Sequence, residues 1–273
     1  MNDNSLASRS DPSPEPRVSQ VGRGVDNIVH EVDDVDLEMF LPVAAGFGQE
    51  QYGFVVTPNI DHMIRYHEDA AFREYYEAAD YVLMDSRVAA FLLRIAKGVK
   101  LRVCPGSDLT EALLSSVVAP SDRMVLIGGT EEQASALVAT YGLENVCHHN
   151  PPMGFIKDPE AVEACLRFIE SMSPFRFCFL AVGSPQQEAI ARLLKTRGVA
   201  RGLALCVGAS LNFVTGREKR APRWMQRVAL EWLYRLMQDP KRLARRYLVR
   251  GPRIFAHLYR ARVVLRKPAV TAG

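Results

Sequence analysis

Short runs of consecutive apolar residues alternate along this chain with longer segments in which apolar positions recur every three or four residues. The runs Phe54-Val55-Val56, Tyr81-Val82-Leu83-Met84, Met124-Val125-Leu126-Ile127, Phe177 to Val182 and Leu203 to Val207 lack polar alternation, which predicts strands buried on both faces. Helical periodicity covers 59–68, 70–79, 87–97, 107–118, 131–141, 159–172 and 186–197. It continues over 223–265 in pieces punctuated by Pro222, Pro240 and Pro252. Strands and helices in this alternation predict an α/β fold, a Rossmann-like parallel sheet flanked by helices with right-handed crossovers. Residues 1–25 carry Asp3, Asp11, Pro12, Pro14 and Pro16 among serines, a composition that predicts disorder. The core is then expected over 26–216, followed by a helical appendage over 217–267.

The net charge of +3 conceals a strong asymmetry. Sixteen basic and only three acidic residues lie between Arg217 and Lys267, leaving eighteen basic and twenty-eight acidic residues elsewhere. A strongly cationic appendage is thus joined to an acidic body. Trp224, Met225, Trp232, Leu233, Leu236, Met237 and Leu248 are interleaved with its arginines. That makes an amphipathic surface suited to lipid phosphates, a nucleotide diphosphate or nucleic acid. With 273 residues, 48% of them hydrophobic, the chain can bury a full core. No apolar stretch comes near the roughly eighteen residues of a spanning helix, and the N-terminus has no apolar signal region. The five cysteines are odd in number and lack paired spacing, as expected of reduced core residues in a cytosolic protein.

Ligands of parallel α/β sheets sit beyond the carboxyl ends of the strands, so the residues following each strand are the first candidates for chemistry. They are Thr57-Pro58-Asn59, Asp85-Ser86, Gly128-Gly129-Thr130, Gly183 to Glu188 and Gly208-Ala209-Ser210, with Arg102 to Asp108 lying between the second and third strands. Singly, each has an ordinary explanation as a turn or a helix cap, and Ser107 is an N-cap candidate. Their gathering on one rim favours a site.

Several of these segments resemble the WecG/TagA/CpsF glycosyltransferases, glycosyltransferase family 26: Thr57-Pro58-Asn59, Asp85, Arg102 to Leu109, Leu126 to Gly129 and Gly183 to Glu188. Arg220 to Gln226, Glu231 to Arg235 and Pro240 to Tyr247 continue the similarity, which runs in unbroken order over about residues 40 to 262. The resemblance implies an inverting transferase that moves a hexose or N-acetylhexosamine from a UDP-sugar donor of the UDP-N-acetylmannosamine or UDP-glucose type. The acceptor it implies is a polyprenyl-diphosphate-linked saccharide at the inner face of the plasma membrane, early in exopolysaccharide, capsule or teichoic-acid assembly.

Roles follow for single residues. Inversion needs one carboxylate to take the acceptor hydroxyl's proton, and Asp85 matches the family's proposed base, though Ser86 stands where relatives usually have glycine. Thr57 and Asn59 can hydrogen-bond sugar or phosphate oxygens. Gly106, Gly128, Gly129 and Gly183 allow close backbone approach, Ser107 and Asp108 complete the central motif, and Gln187 and Glu188 open a helix whose N–H groups favour anions. Departing UDP needs counter-charge. By motif, Arg102, Arg235, Arg242 and Arg245 supply it, bidentate guanidinium being suited to phosphate.

No cofactor and no metal is expected. Asp34-Val35-Asp36, the only D-x-D in the expected folded part, precedes the first strand and reads as solvated acidic surface. Cys147-His148-His149 lacks a second ligand pair at zinc spacing. Asn212, where many relatives carry Asp, is not a base. The expected partners are the sugar donor, the lipid-linked acceptor and an anionic membrane surface, with self-association open. The alternative reading is a nucleotide- or nucleic-acid-binding protein working through the arginine-rich helices. Against it, the chain has no G-x-G-x-x-G turn and no recognised nucleic-acid module. A catalytically silent membrane scaffold is the third reading.

Overall fold

The computed structural model describes residues 18–22, 28–222, 224–225, 229–244, 248–249 and 251–266. Its elements in chain order are β1 (Val18–Gly22), β2 (Val29–Asp33), α1 (Leu37–Gly46), β3 (Tyr52–Val56), α2 (Ile60–Glu68), α3 (Ala70–Glu77) and β4 (Tyr81–Val82). There follow α4 (Arg87–Lys97), α5 (Gly106–Ser116), β5 (Met124–Ile127), α6 (Glu131–Tyr141), β6 (Val146–His149), α7 (Pro159–Ser171), β7 (Phe177–Leu180) and α8 (Gln186–Arg197). The last are β8 (Gly202–Cys206), α9 (Ser210–Val214), then α10 (Glu231–Gln238), α11 (Pro240–Ala244), α12 (Arg253–Arg260) and β9 (Arg262–Arg266).

Six strands form one parallel sheet in the order β4-β3-β8-β7-β5-β6. The apolar runs alternate between its two faces, as the pleat requires. Val125, Ile127, Cys178, Leu180, Ala204 and Cys206 pack with Met63, Phe72, Ile169 and Ile190 of α2, α3, α7 and α8. Met124, Leu126, Phe177, Phe179, Leu203 and Leu205 pack with Phe40, Leu113, Leu137 and Leu211 of α1, α5, α6 and α9. The expected Rossmann-like sheet between helical layers is what the chain forms. Two neighbouring strand pairs, β3/β8 and β5/β7, send their following helices to opposite faces and so open crevices beyond their carboxyl ends.

A second sheet, β1-β9-β2, differs from the expectation. Val18–Gly22 falls within the segment expected to be disordered, the rest of which lies outside the described residues, yet it pairs antiparallel with β9. Residues 262–266, expected to continue the helix, form the central strand instead. The reason is an apolar centre between two arginines: Val263 and Leu265 enter the main core, Val264 is buried as well, Arg262 stays exposed and Arg266 reaches back to Asp33 at 3.0 Å. Asp33 in turn accepts from the Val82 N–H at 2.6 Å and so ties this sheet to the edge strand β4. The C-terminus of the described chain is thus built into the fold.

Within the six-stranded sheet, β6 is the strand that the apolar runs did not predict, and all four of its residues are only partly buried. Four cysteines are buried, Cys147 on this edge strand is partly so, and all five are free thiols. None of the helices is long and apolar enough to cross a membrane, among the described residues.

Candidate active site

The rim beyond β3, β4 and β8 is held together by short polar contacts between residues far apart in sequence. Thr57 follows β3, and its hydroxyl donates to the Cys206 carbonyl at 3.3 Å. Asn59 caps α2, its side-chain oxygen accepting from the N–H groups of Asp61 and His62. The Asp85 N–H donates to the Pro58 carbonyl at 3.0 Å, which sets the turn after β4 against the turn after β3. Ser86 then caps α4 by accepting from the Ala89 N–H at 3.2 Å.

Asp85 caps a different helix. One of its carboxylate oxygens accepts from the Gly106 N–H at 2.8 Å, at the N-terminus of α5, where unpaired N–H groups and the helix dipole favour a negative charge. Ser107 is therefore not the cap: α5 begins one residue earlier, at Gly106, and the flanking Pro105 has no capping side chain. Space at Gly106 is tight, since a Cβ there would lie 3.0 Å from the Thr57 hydroxyl. Ser107 is buried inside α5. Asp108 faces Arg87 at 3.8 Å and forms a close ion pair with Arg220, whose guanidinium also lies 3.7 Å from Glu111.

Asp85 remains partly accessible at the rim. Burial raises its pKa, partly offset by the Gly106 N–H and by the positive charge of Arg235, while Glu231 and Asp108 push it further up. A raised pKa is what a carboxylate that must take up a proton requires. Arg235 comes from α10, in the appendage. It pairs with Glu231 one turn earlier at 2.9 Å and stacks over the Phe213 ring at 4.9 Å. Arg235 is thus near enough to Asp85 to act on its charge.

Other expected residues are placed differently. Gln187 and Glu188 are buried, at 3% and 1% exposure, beneath the rim. Gln187 accepts from the Gly208 N–H at 2.9 Å and donates to Glu188 at 3.0 Å, so it clamps the turn after β8 to α8. Burial also raises the pKa of Glu188, but with almost no exposed surface it cannot meet an acceptor hydroxyl. Arg102 is engaged by Asp34 at 2.8 Å and by Asp36 at 3.7 Å on the far side of β4. Those two acids were expected to be solvated surface; Asp34 instead also accepts from the Arg102 N–H, and Asp36 caps α1. Arg245 and the side chain of Arg242 lie outside the described residues.

Gly128 and Gly129 turn the chain after β5 with φ of +92° and +79°. A Cβ on Gly128 would lie 3.0 Å from the Ala181 carbonyl group, main chain that cannot swing aside. Gly128→Ala should therefore cost about 1–3 kcal/mol of stability, to be read from urea unfolding; an unchanged midpoint would mean that the turn tolerates a side chain. Gly183, at φ +81°, lies three residues beyond β7, across the same crevice. Asn212 uses both ends of its amide: it accepts from Gln133 at 2.8 Å and donates to Glu218 at 2.8 Å. An Asp would set two carboxylates against each other there. Phe213, Glu231, Gln133 and Arg220 were not singled out as site residues; Arg220 and Glu231 stood inside matching motifs, whereas nothing local marks Phe213 or Gln133.

A cavity of about 350 Å³ lies behind the rim between β2, α2 and α3, reached by Pro58 and Met84. No cluster of three or more His, Cys, Asp or Glu suited to a metal occurs among the described residues. The chain's residues 25–268 match the family described as the Glycosyl transferase WecG/TagA/CpsF family.

Proposed function

The chain therefore belongs to the WecG/TagA/CpsF glycosyltransferases, which build cell-surface polysaccharides from a sugar donor and a lipid-linked acceptor, and we propose that it is an inverting, UDP-sugar-dependent hexosyltransferase. The observation that carries this reading is the Asp85 carboxylate, oriented by a helix N-terminus, accessible at the rim and within the field of Arg235. Asp85 takes the proton of the acceptor hydroxyl as that oxygen attacks the anomeric carbon. The bond from the anomeric carbon to the donor phosphate oxygen breaks on the opposite face, and UDP leaves with both electrons. Arg235 supplies positive charge where the diphosphate charge develops. Thr57, Asn59, Gly106 at the start of α5 and the glycine turns at 128–129 and 183 line the donor side, and Arg242 and Arg245 belong to the same cationic appendage.

The acceptor is a polyprenyl-diphosphate-linked saccharide, and the protein works as a peripheral enzyme on the inner face of the plasma membrane. The donor is of the UDP-N-acetylmannosamine or UDP-glucose type. The test is a screen of UDP-sugars with and without a short-chain polyprenyl-diphosphate-sugar acceptor, read as acceptor-dependent UDP release. One donor should be consumed far faster than the rest, and release that never depends on the acceptor would sink the assignment. Because arginine provides the counter-charge, EDTA should leave turnover within about twofold. Activity lost in EDTA and restored by Mg²⁺ would replace arginine with a metal.

A further inference from the structure

Neither Ser86 to Ser107 in the core nor the stretch from Pro240 to the C-terminus contains an acidic residue. The fold brings helices from the two together, α4 packing against α12. Each helix buries one apolar stripe, Ala89, Ala90 and Leu93 on α4, Ile254 and Leu258 on α12. Each also carries a second apolar pair that the core does not cover. Phe91 and Ile95 are 57% and 68% exposed, Phe255 and Tyr259 61% and 69%. Both pairs have i, i+4 spacing and so share one side of their helix. Lys97 links them: its ammonium lies over the Tyr259 ring at 5.7 Å and donates to the Tyr259 carbonyl. Arg94, Lys100, Arg260 and Arg262 are exposed around this face. Glu68 of α2 is taken up by Arg253 of α12 at 3.1 Å and by His257 at 3.3 Å.

We propose that the exposed face shared by α4 and α12 is the protein's seat on an anionic lipid bilayer, with Phe91, Ile95, Phe255 and Tyr259 entering the headgroup boundary and the surrounding Arg and Lys side chains meeting lipid phosphates. Apolar side chains ringed by cations on adjoining helices are the chemistry of an interfacial surface. Charge selects lipid over a second copy of this chain, because two-fold pairing would press the same cations against one another. The inference rests on the function proposed above and sharpens its membrane contact: the anchor is not confined to the appendage but includes a helix of the catalytic core. Its consequence is positional. α4 is capped by Ser86, next to Asp85, and Ile95 lies nine residues beyond that cap, roughly 14 Å along the axis at 1.5 Å per residue. A bilayer that holds the side of α4 therefore keeps Asp85, at the start of that helix, close to the lipid surface.

The test is flotation of the full-length protein with phosphatidylcholine vesicles, with and without phosphatidylglycerol. Wild type should float only with the anionic vesicles. Phe91→Ser with Ile95→Ser, and separately Phe255→Ser with Tyr259→Ser, should each weaken that binding about tenfold or more, with unchanged circular dichroism because the side chains are exposed. If a serine pair disturbs folding, Arg94→Gln with Lys100→Gln should still weaken binding, and binding that persists there overturns the proposal. So does wild-type flotation of the α4 double variant, which would leave the anchor to the appendage alone. A dimer in sedimentation that the α4 variant dissolves would make the face a contact between copies. Salt-sensitive nucleic-acid binding without vesicle binding would make the partner a phosphate backbone. Turnover on a soluble short-chain acceptor is read in parallel and should be unchanged in the serine variants. If wild type shows none while flotation behaves as expected, it is the transferase reading that fails.

Discussion

Asp85→Asn should lower turnover by about 10²-fold or more while leaving the fold and UDP binding intact. Asparagine keeps a side-chain oxygen for the Gly106 N–H, so the 2.8 Å contact that sets the turn survives; only the proton acceptor is lost. Stability gives an independent readout. Burial raises the pKa of Asp85 in the folded protein, so the folded state holds the proton more tightly than the unfolded chain does. The group's stabilising contribution is then present at low pH and is lost as pH rises from the ordinary value of 3.8 through the higher folded value. At neutral pH the wild type bears the cost of a buried charge that asparagine does not carry. The variant should therefore melt at the same temperature or higher at pH 7. Turnover within about tenfold of wild type would demote Asp85 to a helix cap, and a large drop in melting temperature would make the lost activity uninformative.

Much of this arrangement could be read in the sequence because it is local. Continuous apolar runs marked the strands of the central sheet except the edge strand β6, whose Val-Cys-His-His sequence carries too little apolar character. The residues after those runs marked the rim. What escaped depends on partners distant in the chain. β9 reads Arg-Val-Val-Leu-Arg inside a basic helical stretch, and its neighbour Val18 lies at the other end of the protein. The cap of α5 comes from Asp85, 21 residues upstream, so the local Ser107 was the wrong choice. Arg102 matched a motif, yet its guanidinium goes to Asp34 and Asp36, acids that local sequence gave no reason to pair with it. The same non-locality bears on experiments. Removing everything after Gly216 would delete the central strand of the small sheet and the core residues Ile254, Leu258, Val263 and Leu265, so point substitutions must replace truncation in tests of the appendage.

Arg235→Ala should reduce kcat/KM by about 10²-fold, the scale of losing one charge-stabilising donor from a transition state, and should also change how the rate depends on pH. Asp85 works only when deprotonated, so activity rises with pH through its pKa. Arg235 holds that pKa down, while Glu231 and Asp108 hold it up. Removing the arginine charge should move the acid limb to higher pH. Glu231→Gln should move it the other way, because a like charge beside the base disappears. Arg235→Lys separates the arginine's two effects: a lysine keeps the positive charge that acts on Asp85 but lacks the planar fork that binds phosphate bidentately. It should return the acid limb to its wild-type place while recovering only part of the rate. A rate loss in Arg235→Ala with the acid limb unmoved would mean that the arginine acts on substrate alone. If Arg235→Ala kept the full rate, α10 would be attached beside the site without taking part in it, although Arg235 sits between the Phe213 ring and Glu231.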